Sequence, residues 1–158
     1  MKPIITVSLK SVTCCIGATL LVLVLGAPMG VRAADVIGLV KTSTGAVSIE
    51  RDGQKVAAGA GAKLYQSDQV VTGADGAVGM TFIDNSRLSL GANSSLALEK
   101  FRFNTTTHEG EFVSSVKKGT LAAVSGKIAK QTPEAMKVRT PSAILGVRGT
   151  KFLVSVEK

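Results

Sequence analysis

The stretch that decides the fold is TPSAILGVRGTKFLVSV, residues 140–156. Its second half alternates between two kinds of side chain. The residues on the more apolar phase are Thr150, Phe152, Val154 and Val156. The residues between them are Lys151, Leu153 and Ser155. A period of two predicts a β-strand that packs one face against a core.

Arg148 lies on the apolar phase of this strand, between Gly146 and Gly149. A guanidinium stays charged at physiological pH, so on an inward face it needs carboxylate or carbonyl partners. Alternatively, the two glycines break the register and turn the side chain outward.

Upstream of this strand, short alternating runs recur every 8 to 12 residues with turn sequences between them, which is typical of an all-β domain. No segment has a convincing helical period. Asp52-Gly53 predicts a two-residue hairpin turn between SIER and QKVAA, because these residues tolerate positive φ. Asp84-Asn85 predicts another tight turn, with Asn85 in the left-handed conformation.

Apolar residues continue to alternate through the middle of the chain and then move to the other set of alternate positions. The residues of one regular run are Val78, Met80 and Phe82. The phase of Leu96 and Leu98 shifts by one residue at Phe101, which predicts a bulge or a change of sheet near Glu99 and Lys100. Further on, EFVSSV, GTLAAV and MKVRT predict three short strands.

These runs predict a single all-β domain over residues 34–158, with no internal boundary. We expect short antiparallel strands, arranged as a two-layer sandwich or as a short stack resembling a β-solenoid.

The first residues have the pattern of a secretory leader. Lys2 and Lys10 precede an uncharged apolar run, and a small-x-small motif ends at Ala33. This predicts a signal peptide, 1–33, cut between Ala33 and Ala34. The alternative, an uncleaved anchor, is disfavoured because the run is shorter than the roughly 20 residues that span a bilayer. After processing we expect no stable membrane anchor.

Removal of this leader changes the composition. Both cysteines, Cys14 and Cys15, are lost, so the remaining 125 of 158 residues have no thiol and no disulfide. The formal net charge falls from +8 to +5, since three basic residues and no acid are removed. Nucleic acid is not expected as a partner, because Tyr65 is the only tyrosine and tryptophan is absent.

Five blocks in a fixed order carry a resemblance to a known family. They are GAVSIERDG, LYQSDQVVTG, VGMTFIDNSRLSLGANSSLAL, VKKGTL and VRTPSAILGVRGTKFLV. Together they resemble the FecR domain, a bacterial periplasmic module, from about Gly45 to Val154. Two turns depart from the family pattern: Ser67 precedes Asp68 where glycine is usual, and Asn85 replaces the glycine of Asp-Gly-Ser.

The resemblance marks a set of signature residues, which we interpret as structural. They are Gly45, Asp68, Thr72, Asp84, Ser86, Gly119, Thr140, Pro141, Arg148, Gly149, Thr150 and Phe152. For Arg148 we expect a partly buried ion pair with Asp84 or Asp68 that fixes the last strand to the middle of the domain, with surface recognition as the alternative. Arg148→Ala should then lower the melting temperature sharply.

The resemblance also implies a function. The best-known members are transmembrane regulators of iron uptake whose cytoplasmic segment controls a sigma factor and whose periplasmic part senses an outer-membrane transporter. Because a leader directly precedes the domain, we expect this chain to be a free periplasmic module of a Gram-negative bacterium, secreted across the inner membrane. Its expected partner is an envelope or outer-membrane protein in sensing, signalling or scaffolding. The alternative is a glycan or peptidoglycan module, disfavoured because aromatic platforms are scarce.

The sequence contains few residues that could form a catalytic site or a metal site. His108 is the only histidine and lies in a polar loop beside Glu109 and Glu111, so we interpret it as a solvated hairpin tip. The acids that could converge as in a glycosidase are Asp68, Asp75 and Asp84. Each lies beside turn residues, where aspartate commonly bonds its own backbone. We expect no enzyme activity, no metal and no cofactor.

A basic stretch near the C-terminal end is interrupted by one acid, Glu134. Its members are Lys117, Lys118, Lys127, Lys130, Lys137 and Arg139. It could form a patch that meets an acidic partner or an anionic envelope polymer. The favoured interpretation is a solvated outer strand face on which lysines protect edge strands from pairing.

Overall fold

The computed structural model describes residues 35–147 and 151–157, which lie in one compact unit, Ala33–Lys158. The predicted signal peptide and the segment 148–150, which includes Arg148, lie outside the described residues. The unit is all-β, with 60% strand and 4% helix, as predicted. Within the described residues no helix has the length and apolarity to cross a membrane.

Twelve strands and one short helix make up the described part of the chain. In chain order they are β1 Val36–Thr44, β2 Val47–Arg51, β3 Gln54–Ala57, β4 Lys63–Tyr65, β5 Gln69–Thr72, β6 Ala77–Phe82, β7 Arg87–Leu90, β8 Ser95–Phe103, β9 Gly110–Val124, α1 Lys127–Gln131, β10 Met136–Arg139, β11 Ile144–Gly146 and β12 Lys151–Val156.

The strands form one curled sheet whose two halves are joined by β9. The first half of β9 pairs with β8 and β10, and its second half pairs with β7 and β12. We call the half containing β12, β7, β6, β1 and β4 layer A. We call the half containing β11, β10, β8, β5, β2 and β3 layer B. The two layers are thus two parts of one continuous sheet.

The length of β9 differs from the prediction. EFVSSV and GTLAAV were expected as two strands, but they belong to one 15-residue strand with Gly119 at φ +88 in its middle. The core-cluster residues of β9 are Phe112 and Val116 before this glycine and Leu121 and Ala123 after it, so the core-facing phase changes from even to odd positions across Gly119. The positive φ lets one strand bend from layer B into layer A without an interruption.

One strand pair differs from the predicted antiparallel arrangement. β10 runs parallel to β9, with Met136 opposite Phe112 and Arg139 opposite Ser115. The connection between them carries α1, which buries Ile128 and Ala129 against the core. Five residues are too few to show a helical period, so α1 was not predicted from the sequence.

The core lies between the two layers. Phe82 from layer A stands 5.8 Å from Phe101 and 4.7 Å from Phe112, ring centroid to centroid, and both of these belong to layer B. The predicted run of Val78, Met80 and Phe82 is buried, with at most 2% of each residue exposed. The alternating phase of β6 therefore does face the core.

The local predictions for turns and register are confirmed. Asp52 and Gly53 have φ of +51 and +77 and join β2 to β3, and Asn85 has φ of +67. The pairing of β8 with β9 shifts between Leu98 and Lys100, where the bulge was expected.

The last strand alternates as the opening stretch predicted. Val154 is buried and Phe152 and Val156 are partly buried, whereas Lys151, Leu153 and Ser155 are exposed. β12 forms the edge of layer A next to the second half of β9.

Candidate functional site

The Asp68 carboxylate is fully buried and is bound by Arg51. Arg51 Nε donates to Oδ1 at 2.7 Å and Nη2 donates to Oδ2 at 2.8 Å, while the Tyr65 backbone N–H donates to Oδ2 at 2.8 Å. The hydrogen bond to Asp68 raises the pKa of Arg51, although burial acts in the opposite direction. This pair ties the end of β2 to the turn before β5.

The guanidinium of Arg51 has two further contacts. Its Nη2 donates to the backbone carbonyl of Lys63 at 3.1 Å, and its carbon lies 4.3 Å from the centroid of the Tyr65 ring. The stacking leaves the ring of Tyr65 covered on one side. The only tyrosine of the chain is thus part of the structural network around Asp68.

A second network surrounds Thr72. Its Oγ1 donates to the Gly91 carbonyl at 2.6 Å and accepts from the Ser94 N–H at 2.8 Å. Ser94 in turn accepts from the Thr120 N–H at 2.9 Å through its own hydroxyl. Gly119 has no room for a side chain, because an added Cβ would collide with Ser94. This network fixes the segment between β7 and β8 against the bend of β9.

A third network contains Asp84 and Ser86, both fully buried. Asp84 Oδ1 accepts from the Ser86 N–H at 3.0 Å, and Oδ2 accepts from the Ser86 hydroxyl at 2.5 Å. The same hydroxyl accepts from the Gly126 N–H at 3.0 Å, and the Lys127 N–H donates to the Asp84 carbonyl at 2.8 Å. The turn between β6 and β7 is thereby attached to the segment that leads into α1.

The other described signature residues also lie at turns or edges. Gly45 has φ +65 and packs directly on Asp75, so a side chain there would collide with backbone. Thr140 closes the turn between β10 and β11, where its hydroxyl accepts from the Ala143 N–H at 3.0 Å. Pro141 is exposed in that turn, and Phe152 is partly buried in β12.

The predicted partners of Arg148 have different environments. The carboxylate of Asp68 is bound by Arg51, a pairing that the sequence interpretation did not predict. Asp84 has no cationic partner among the described residues. Because Arg148 lies outside the described residues, its pairing with Asp84 or Asp68 stays a prediction.

The acids considered for catalysis belong to separate turns. Asp68 and Asp84 are held in the first and third networks, and Asp75 is exposed beside Gly45. Over residues 35–147 and 151–157, no three His, Cys, Asp or Glu side chains are grouped to hold a metal.

His108 is more constrained than a solvated loop tip. It has φ +61, its ring is parallel to that of Phe103 at 6.1 Å, and its Nε2 lies 3.4 Å from Nζ of Lys127. The stacking half-buries the imidazole at the end of the β8–β9 hairpin.

The predicted basic patch is divided between separate surfaces. On the outer face of layer B, Arg139 pairs with Glu99 at 2.8 Å and Lys117 donates to Gln69. Lys127 and Lys130 lie on α1, whereas Lys117 and Lys118 both line a cleft of about 530 Å³ beside Pro141 and Ser142.

One acid that accompanies the outer-face cations, Glu111, has an altered pKa. The pKa of Glu111 is lowered, first by a hydrogen bond from Lys100 and then by the nearby charges of Lys100, Lys137 and Arg102. Acids and bases therefore alternate on this face, which favours the interpretation as a solvated strand surface.

An apolar surface remains where the two layers end side by side at β11 and β12. Ile144, Leu145 and Leu153 are exposed by 66%, 38% and 69%. A cleft of about 250 Å³ lies between the two strands and is lined by residues 145–147 and 151–154. Leu145 and Leu153 thus lie at one cleft, and exposed apolar side chains grouped in this way are typical of binding surfaces.

Comparison with known families identifies the chain. The family model described as FecR protein matches residues 68–158, more than half of the 158 residues. The chain belongs to the FecR family. The match begins at Asp68, so it covers the second and third networks and the apolar surface of β11 and β12, and it includes only Asp68 of the first network. No curated protein and no solved structure gives a significant match.

The FecR family generally provides sensing or signalling modules of the cell envelope. In this FecR domain the structure reveals three residues that the sequence interpretation missed: Arg51, Ser94 and Gly126. Arg51 directly precedes the Asp52-Gly53 turn, and Ser94 lies in the GANSS stretch before β8. Nothing local in the sequence indicates their distant partners, because the contacts span 17 to 40 positions.

Proposed function

We propose that this FecR protein is a non-enzymatic module of the bacterial envelope that binds a protein partner in sensing, signalling or scaffolding. The observation that carries the proposal is the apolar surface of β11 and β12. Two of its side chains, Leu145 and Leu153, line the same cleft and are both exposed. Their burial against a partner would contribute about 25 cal/mol for each square ångström removed from water.

The buried networks support a role without catalysis. The polar atoms of these side chains bind Arg51, backbone groups or one another. The side chains are Asp68, Thr72, Asp84 and Ser86. A catalytic acid or base must instead lie within hydrogen-bond reach of a substrate atom. These side chains stabilise the domain and leave its exposed edges for recognition.

A glycan-binding role receives less support from the aromatic residues. Sugar sites commonly use an exposed ring as a platform. Phe82, Phe101 and Phe112 are buried in the core, while Tyr65 stacks on Arg51 and Phe103 stacks on His108. The remaining ring, Phe152, is partly buried in β12.

A periplasmic location follows from the predicted leader and is part of the proposal. The test is to purify the tagged protein in its processed form from the periplasm of the producing bacterium. An amino terminus at Ala34 would support export and cleavage. Recovery of unprocessed protein from the cytosol would contradict this part of the proposal.

The binding role is tested by affinity purification with matched variants after crosslinking in cells. Leu153→Asp should lose a partner protein that the parent retains. Val56→Asp is the control, because Val56 is an exposed apolar residue on the edge strand β3, in the other layer. Absence of any partner, or sedimentation of the parent with purified peptidoglycan in place of a protein, would overturn the proposal.

A further inference from the structure

We propose that the free edge of β12 is a docking site for an extended acidic segment of a protein partner, which adds to layer A as a further strand. This inference rests on the proposed function and specifies its partner. β12 pairs with β9 from Lys151 opposite Val124 to Val156 opposite Gly119. On its other side no backbone hydrogen bond joins it to a described residue. A strand can therefore add there through main-chain hydrogen bonds.

The other free edges are less suited to strand addition. β4 and β11 have three residues each, and β3 has four, with Gln54 and Lys55 among them. β12 has six residues, contains neither proline nor a bulge, and has Lys151 as its only charged residue. Short length, charge and bulges are the features that protect edges from pairing, and β12 has few of them.

The core-facing side of β12 is incompletely covered. Phe152 and Val156 remain partly exposed, although Val154 between them is buried, with only 8% of its surface exposed. A strand added at this edge would cover both with its own inward side chains. Alternating apolar residues on the incoming segment would extend the core by one strand.

The outer side of this edge is cationic. Arg87 on β7 lies opposite Val124, and Val124 lies opposite Lys151, so all three form one row across the sheet. Neighbouring strands lie about 4.8 Å apart, so the backbones at Arg87 and Lys151 are roughly 10 Å from each other. Neither has an acidic partner among the described residues. This unpaired charge favours a segment with carboxylates.

The surface beside these cations is an open cleft of about 490 Å³. Its lining includes Arg87 and Lys151 together with the small side chains of Ser89 and Ala122. Leu153 stands beside Ala122 in the neighbouring row and is 69% exposed. The incoming strand should therefore place a carboxylate opposite Lys151 and an apolar side chain opposite Leu153.

The test uses a fluorescein-labelled peptide with valine and isoleucine on one face and threonine, valine and glutamate on the other. In antiparallel register the glutamate lies opposite Lys151. The second peptide replaces this glutamate with lysine. Binding is measured by anisotropy to the processed parent, to Lys151→Glu and to the control Lys41→Glu. The control makes the same charge change on β1, which is separated from β12 by the three strands β9, β7 and β6.

We expect the acidic peptide to bind the parent and Lys41→Glu equally. Lys151→Glu should weaken it about three- to fivefold, the size of one cross-strand charge pair, and should reverse the preference between the two peptides. Bound peptide should also slow hydrogen exchange at amides of β12. Unchanged exchange in β12, or equal binding of both peptides to Lys151→Glu, would overturn the docking site.

The same variants separate this inference from the proposed function. If the parent and Lys151→Glu capture the same partner to the same extent in cells, the partner exists but the β12 site is wrong. If the parent captures no partner, the proposed function itself is overturned.

Discussion

Arg51 binds the buried carboxylate of Asp68 through two parallel hydrogen bonds, with Nε 2.7 Å from Oδ1 and Nη2 2.8 Å from Oδ2. The pair joins the β2–β3 hairpin to the turn before β5, which in turn is bonded to β8 through Ser67 and Leu98. Asp68 is fully buried, whereas the side chain of Arg51 is 32% exposed. Loss of the arginine would therefore leave an unpaired charge inside the domain.

Arg51→Ala should lower the free energy of unfolding by about 3 kcal/mol, the low end for breaking a buried pair, because Arg51 is partly exposed. Urea denaturation of the processed protein measures this change. Arg102→Ala is the control, since Arg102 is exposed and makes no described hydrogen bond or ion pair shorter than 4 Å, and it should change stability by less than about 0.5 kcal/mol. Equal effects of the two substitutions would show that the Asp68 pair does not stabilise the domain.

Ser86→Ala should destabilise the turn between β6 and β7. It removes one hydroxyl that donates to Asp84 and accepts from the Gly126 N–H. Leaving buried groups without partners costs roughly 1 to 3 kcal/mol, and more beside a charge, so we expect a loss of about 2 to 3 kcal/mol. Thermal unfolding of Ser86→Ala is compared with that of Ser89→Ala, which removes an exposed hydroxyl on β7, the strand that follows the turn. A melting temperature equal to that of Ser89→Ala would contradict the role of this network.

Gly119→Ala and Gly53→Ala distinguish two causes of destabilisation, the backbone strain of a positive φ and the collision of a new side chain with its neighbours. Both glycines have positive φ, +88 and +77. A Cβ at Gly53 meets open space, so Gly53→Ala should cost only about 1 to 2 kcal/mol for the left-handed conformation. A Cβ at Gly119 would collide with Ser94, so Gly119→Ala should cost clearly more or prevent folding. Circular dichroism and urea titration measure the difference, and similar midpoints for both variants would argue against a tight bend in β9.

The hydrogen bond from Lys100 to Glu111 makes stability depend on pH. The pKa of Glu111 is lowered in the folded state, so this contribution is complete above the ordinary pKa of a glutamate and is lost as the pH falls through the lowered pKa. In Glu111→Gln the melting temperature should therefore fall less steeply as the pH is lowered into the acid range. Near neutral pH its dependence on pH should be the same as in the parent. A curve for Glu111→Gln that is parallel to that of the parent at every pH would contradict this assignment.

The local features of the fold could be predicted because short stretches specify them. Asp52-Gly53 and Asn85 have the positive φ that their residue types allow, and the slip between Leu98 and Lys100 follows from the order of apolar residues. The same reasoning failed for β9. Two apolar runs on opposite phases indicated two strands, and only contacts with Ser94 and β12 show how Gly119 joins them.

By itself, the sequence determined the all-β class, the hairpin turns, the core-facing residues of β6 and β12, and the family, since each depends on residue types within one short segment or block. Only the tertiary structure decided that Asp68 pairs with Arg51, that β10 runs parallel to β9, and that Lys151 and Arg87 share a row on an open edge. These relationships join residues 17 or more positions apart. They depend on strand register and on how the sheet curls, and no local pattern of side chains specifies either.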